Sequence, residues 1–160
     1  MIKTHIFTAL VEHKPGVMQR VASMFSRRGF NIDNITVGPT DHPDIARMTI
    51  LTKGDEKVLE QVTKQMNKLV NVIKVSDLNR EKTVSRELCL IRVHTPSEKQ
   101  KSEVIQYVDV FRGRIVDVAS DTLMAEITGD TEKIDAFTGL MRPFGIKEIA
   151  RTGTTAMQRG

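Results

Sequence analysis

The sequence predicts an α+β chain made of two consecutive βαββαβ units, and three observations carry that prediction. Segments of alternating apolar residues and segments with apolar residues at helical spacing follow one another in the same order twice. A polar stretch without apolar periodicity, Asn79–Ser85 (NREKTVS), separates the two runs. Residues echo between the halves as well, since Phe25-Ser26-Arg27-Arg28-Gly29 leading into Ile32 has a counterpart in Phe111-Arg112-Gly113 leading into Ile115. Split-βαβ units of this kind form four-stranded antiparallel sheets covered on one face by two helices, the ferredoxin-like arrangement. The expected limits are residues 1–78 for the first domain, 79–85 for a linker and 86–160 for the second. Domains of about 80 residues bury only about 60% of their unfolded surface, so pairing with a further copy is expected.

Each element has a local cause. Thr4–Val11 alternates loosely in β-prone residues and stops at Glu12-His13-Lys14-Pro15-Gly16. Val17, Val21, Met24 and Phe25 then recur at helical spacing, which predicts a helix over Val17–Arg28 closed by Gly29. Asn31–Pro39 and Ile45–Lys53 read as an antiparallel hairpin joined by Thr40-Asp41-His42-Pro43-Asp44. Asp55 and Glu56 open a second helix with Val58, Leu59, Val62, Met66 and Leu69 on its apolar face, and Val70–Val75 closes the half as a strand. In the second half Glu87–Val93 is a strand, and Thr95-Pro96-Ser97-Glu98 has a capping-box pattern with Pro at the first helical position. That helix is expected to turn Val104, Ile105, Val108 and Phe111 inward. Arg114–Ala119 and Thr122–Thr128 form a second hairpin, Thr131–Met141 a helix with Ile134, Phe137 and Leu140 on one face, and Ile146–Arg151 a last strand.

Composition narrows the function. With 160 residues, 39% hydrophobic and 28% charged, the chain has ordinary globular proportions. Its longest stretch free of Asp, Glu, Lys and Arg, Thr4–Val11, is far short of the roughly 20 residues that a spanning helix needs. No secretory signal is legible at the N-terminus, so the cytoplasm is the expected compartment and no membrane partner is expected. The single cysteine, Cys89, has no partner for a disulfide or a C-x-x-C pair, and its place in a strand predicts a buried thiol. Residues 1–80 carry 12 basic and 8 acidic groups and residues 81–160 carry 12 of each. That small surplus and the 4% aromatic content offer little for nucleic acid, since Ile45–Lys53 has no aromatic on which a base could stack.

No catalytic motif can be drawn. The glycines are spaced too widely for G-x-G-x-x-G or G-x-S-x-G, and no P-loop is present. His5, His13, His42 and His94 fall in different elements without metal-ligand spacing, and Asp41-His42-Pro43-Asp44 is accounted for by hairpin-loop chemistry. One segment has the character of a ligand site. In Glu12-His13-Lys14-Pro15-Gly16-Val17, Gly16 allows close backbone approach and the helix start presents unpaired N–H groups that suit a carboxylate, although Pro15-Gly16 also serves as simple strand-to-helix punctuation. Asn31 is either a turn-satisfying amide or a ligand hydrogen-bonder. Arg27 and Arg28 either grip an acidic partner or complement the helix dipole.

The residues themselves resemble a family. Val11–Val21 (VEHKPGVMQRV), Phe25–Val37 (FSRRGFNIDNITV) and Arg47–Ile50 (RMTI) are similar to the ACT domain of the regulatory small subunit of acetohydroxyacid (acetolactate) synthase. Gly54–Gln61 (GDEKVLEQ), the strand beginning Arg86-Glu87-Leu88, Phe111–Val118 (FRGRIVDV), Lys133–Phe137 (KIDAF) and Ala150–Gly153 (ARTG) extend the resemblance through the second half. The resemblance implies a non-catalytic subunit that forms an ACT homodimer and binds a branched-chain amino acid, usually valine, between protomers. It also implies a catalytic large subunit as partner, activated by this chain and made sensitive to feedback inhibition by valine. Thiamine diphosphate, Mg and FAD are then expected on that partner, and no cofactor or metal on this chain. Carried over by motif, the effector-binding residues are His13, Pro15, Gly16, Val17 and Met18 with Asn31 and Ile32, and His13 stands where the family usually has Asn. An imidazole offers different donors and can carry charge near neutral pH. The alternative is an ACT-domain sensor that regulates a different metabolic enzyme, against which the second-half motifs argue.

Overall fold

The computed structural model describes all 160 residues. In the first strand, β1 (Lys3–Glu12), alternation sends Phe7, Ala9 and Val11 to one face and Ile6, Thr8 and Leu10 to the other. Helix α1 (Val17–Arg27) buries Val17, Val21, Met24 and Phe25, the four positions that recur at helical spacing. β2 (Ile32–Pro39) and β3 (Ile45–Gly54) form the expected hairpin, α2 (Glu56–Asn67) follows, and β4 (Val72–Leu78) completes the unit. The sheet runs β2-β3-β1-β4 with every pair antiparallel, which leaves β2 at one edge. Phe7, Ala9, Val11, Met48 and Ile50 pack with α1 and with Val62 and Met66 of α2 into one core.

The second unit repeats this plan with β5 (Thr83–His94), α3 (Glu98–Val110), β6 (Arg114–Val118), β7 (Thr122–Gly129), α4 (Thr131–Met141) and β8 (Ile146–Arg151). Its strand order is β6-β7-β5-β8, and Cys89, Ile91 and Val93 pack with Val104, Val108, Ile134, Phe137 and Met141. Burial pushes the Cys89 thiol pKa up. Glu87 is buried on β5 and is held by Arg151 Nε at 2.7 Å and by the Thr131 hydroxyl, while Arg151 also pairs with Asp135 at 2.7 Å. One guanidinium thereby ties β8 and α4 to β5. No helix is long and apolar enough to cross a membrane.

Several details differ from the sequence reading. The expected linker 79–85 is a 3-10 turn over Arg80–Lys82, capped by Asn79, that runs directly into β5. The chain divides into Met1–Val84 with Thr154–Gly160, and Ser85–Gly153, so the last seven residues belong with the first unit. They include a strand absent from the sequence reading, β9 (Thr155–Gln158), whose Ala156 joins Ile6, Leu51 and Leu78 in a small second cluster. Helix α3 starts at Glu98 with Ser97 as its cap, because Ser97 Oγ accepts from Gln100 N at 3.3 Å and Thr95 is fully buried instead. Ile105 and Leu140 are exposed. The helix faces that enter the core are set by Val104 and Val108, and by Ile134, Phe137 and Met141.

The echo between the helix ends is displaced by one residue. Phe30 N donates to Phe25 O at 3.0 Å, and its counterpart is Gly113 N donating to Val108 O at 2.8 Å. The left-handed position before that bond is Gly29 in the first unit, with φ 70°, and Arg112 in the second, with φ 58°. Gly113 therefore serves packing. A Cβ there would strike Ile127 Cδ1 and lie 2.7 Å from Glu126 O. Arg112→Gly is expected to raise stability by about 1 kcal/mol by removing left-handed strain. Gly113→Ala is expected to lower it by about 1–3 kcal/mol through overpacking. Shifts of the urea midpoint in opposite directions are the check.

Candidate effector site

The turn between β1 and α1 is fixed by backbone bonds on both sides. Glu12 N donates to Asn71 O and His13 N donates to Asp44 O, each at 2.8 Å. The turn ends on Gly16 at φ 86°, a left-handed conformation that strains any residue with a Cβ, although the space around that atom is open. Gly16 also has no side chain to cap the helix, so α1 lacks the bond supplied to α2 by Asp55, to α3 by Ser97 and to α4 by Asp130. The first-turn N–H groups of Met18 and Gln19 are left open to an acceptor from outside. Val17 is buried, so it offers backbone only, whereas His13, Pro15 and Met18 are exposed.

Side chains around the turn form a charged cluster that the sequence reading missed. Lys14 Nζ lies 2.6 Å from Glu12 Oε2, and Arg20 donates to the Asn71 side chain. The Lys14 hydrogen bond and charge hold the Glu12 carboxyl below its ordinary pKa, and Glu12 reciprocally raises Lys14. The pairing stabilises the turn above the ordinary carboxylate pKa and is lost as pH falls through the lowered value. The i,i+2 spacing of Glu12 and Lys14 was the available signal, but the fold brings in Asn71 and Arg20 from other elements.

Asn31 and Ile32 lie elsewhere. They follow the Gly29 turn at the far end of α1, and an 11-residue helix spans about 16 Å, so one chain does not bring them to Gly16. Asn31 is exposed. Its carbonyl accepts from buried Thr52 Oγ1 at 2.6 Å, and its Nδ2 donates to Asp33 Oδ1 at 2.8 Å. Ile32 is half-buried against the core. The register of β2 on β3 shifts between Ile32 and Asn34, a bulge centred on Asp33. Arg27 makes only a 3.4 Å bond to Ser23 O and pairs with no carboxylate. His42 and Asp41 stay within the hairpin loop, and no group of three or more His, Cys, Asp or Glu side chains is placed to hold a metal ion.

A ferredoxin-like unit with a glycine-ended turn opening onto an uncapped first helix, followed by a second unit of the same topology, defines a protein of two tandem ferredoxin-like units, the first of ACT type. Residues 7–74 match the family model described as AHAS small subunit-like ACT domain, and residues 86–160 match the one described as small subunit of acetolactate synthase. A protein of Methanothermobacter thermautotrophicus named "Probable acetolactate synthase small subunit" is 67% identical over 98% of this chain and 94% of its own. The acetolactate synthase small subunit of Aquifex aeolicus is 47% identical over 99% of this chain and 82% of its own. The crystal structure of the acetolactate synthase small subunit of Thermotoga maritima superposes with a TM-score of 0.92 at 45% identity, covering 99% of this chain and 98% of that one. The chain belongs to the acetolactate synthase small-subunit family, the regulatory subunits with an ACT domain.

Replacing Lys14 with Ala is expected to return the Glu12 carboxyl toward its ordinary pKa, read by NMR titration of the Glu12 side chain. An unchanged Glu12 titration would remove Lys14 as the cause.

Proposed function

We propose that this chain is the non-catalytic regulator of a thiamine-diphosphate-dependent acetolactate synthase in branched-chain amino-acid biosynthesis. It activates the catalytic subunit and confers feedback inhibition by valine. Thiamine diphosphate, Mg and FAD belong to that partner, and the complex acts in the cytoplasm. The observation that carries the reading is the placement of the two halves of the site at opposite ends of α1. A two-fold operation that lays α1 antiparallel to its copy carries the Gly16 end of one protomer to the Asn31 end of the other. Two equivalent sites result. The edge position of β2 leaves that strand free to run alongside its copy in the same operation.

In each site the valine carboxylate accepts from the Met18 and Gln19 N–H groups, where the helix dipole favours negative charge. Asn31 and Ile32 of the second copy supply a polar and an apolar contact. His13, exposed on the turn, meets the amino-acid head group. The bound dimer holds the catalytic subunit in a less active state, and a coupling of about 1–3 kcal/mol corresponds to a roughly 5- to 150-fold shift in affinity.

Gly16→Asp places a carboxylate, in a strained conformation, where the ligand carboxylate sits. With the catalytic subunit present, inhibition by valine is expected to disappear in this variant. Full valine sensitivity of Gly16→Asp in a steady-state acetolactate assay would contradict this placement.

A further inference from the structure

The last seven residues of the chain belong to the effector unit, and the way they are held there was not foreseeable from the sequence. Thr154 is 2% exposed and spends both of its backbone groups on side chains of β2. Its N–H donates to Asn34 Oδ1 at 3.2 Å, and its carbonyl accepts from Thr36 Oγ1 at 2.8 Å. Asn34 and Thr36 are two residues apart and therefore on one face of the strand. Beyond Thr154, Ala156 is packed with Ile6, Leu51 and Leu78, and Arg159 N donates to Lys82 O at 2.7 Å. The tail is thus a strap held on β2 at Thr154, by pairing of β9 with β5 along its length, and beside Lys82 at Arg159.

The anchor sits immediately after the bulge at Asp33. A bulge removes ladder bonds locally, so the direction of the strand around it depends on what fixes the next residues. The residue fixed by the strap is Asn34, the first one back in register. On the other side of the bulge is Asn31, whose Nδ2 is bonded to the bulge residue Asp33. Two hydrogen bonds, Thr154 N to Asn34 Oδ1 and Asn31 Nδ2 to Asp33 Oδ1, therefore hold the two sides of the Asp33–Asn34 peptide link, which joins the strap to the Asn31 amide through the backbone of the bulge.

We propose that Asn34 and Thr36 are positioning residues, which act through the Thr154 strap to set the Asn31–Ile32 half of the effector site. The inference rests on the effector reading given above. Neither residue touches the ligand. Loss of the β2 anchor leaves the sheet and the Thr52 bond to the Asn31 carbonyl in place and loosens the bulge residue Asp33, on which the Asn31 amide is held.

The test uses the full-length protein and the double variant Asn34→Ala/Thr36→Val, with Asn34→Asp/Thr36→Ser as the conservative control that keeps the acceptor and the donor. In ligand-free protein, amide exchange across Asn31–Thr36 is expected to rise roughly tenfold in the Ala/Val variant, with the rates in β1 unchanged. Valine affinity by calorimetry is expected to fall about fivefold, a loss of the size of one ordinary hydrogen bond, and to be restored in the Asp/Ser control. Unchanged exchange across Asn31–Thr36 would overturn the inference, whatever valine does. Faster exchange with an unaltered valine affinity would overturn the positioning role. If the wild-type protein takes up no branched-chain amino acid, the effector reading fails separately and the exchange result alone decides the strap.

Discussion

Helix α1 keeps its two ends about 16 Å apart, and Gly16 lies at one end and Asn31 at the other. A helix of that length, buried along Val17, Val21, Met24 and Phe25, cannot bend to bring them together. A ligand the size of one amino acid can therefore reach both only if a second copy supplies one of them. The left-handed Gly16 turn, the uncapped first turn of α1, the edge position of β2 and the bulge at Asp33 all acquire a common sense under that constraint. Under the proposed effector reading, each prepares a half-site that a second copy completes.

Comparison of the two units sharpens the chemistry. In the second, His94 N donates to Gly145 O and Thr95 N to Asp121 O, at 2.8 and 2.7 Å. These are the counterparts of the bonds from Glu12 to Asn71 and from His13 to Asp44. Both strand-to-helix turns are thus pinned in the same way. They part at the helix start, where Ser97 caps α3 with its own hydroxyl and Gly16 leaves α1 uncapped. Ser97 satisfies the Gln100 N–H of α3, whereas the corresponding Gln19 N–H of α1 has no capping side chain. The same scaffold carries an open helix start in one half and a closed one in the other, through the choice of a single capping residue.

Much of this was legible in the sequence because it depends on local periodicity. The 3.6 and 2.0 repeats fixed the order of strands and helices, and Thr131–Met141 and Ile146–Arg151 coincide with the predicted ranges. The sequence does not settle the start of α3, because Thr95 and Ser97 both suit a cap, and only burial of Thr95 decides between them. Local periodicity also points Ile105 and Leu140 inward, because each neighbours a residue at an equally good helical phase, and the fold leaves both exposed. The strap was invisible for a different reason. Thr154 bonds to side chains more than a hundred positions away, and nothing in the local pattern of Thr154–Gly160 announces that partner. For the same reason the resemblance named His13, Gly16 and Asn31 together, while the distance between Gly16 and Asn31 became apparent only in the fold.

The sharing of one site by two copies of the chain is tested most directly with mixed dimers. Gly16→Asp and Asn31→Ala proteins are prepared separately with distinguishable affinity tags, mixed under exchange conditions, and the heterodimer is isolated for calorimetry with valine. In such a heterodimer one site carries both substitutions and the other carries neither. The account predicts that neither homodimer binds valine with wild-type affinity, whereas the heterodimer regains wild-type affinity at half the wild-type number of sites. A heterodimer that binds no better than its parents would contradict it, because an intact Gly16 end and an intact Asn31 end from different chains would then have met without forming a site.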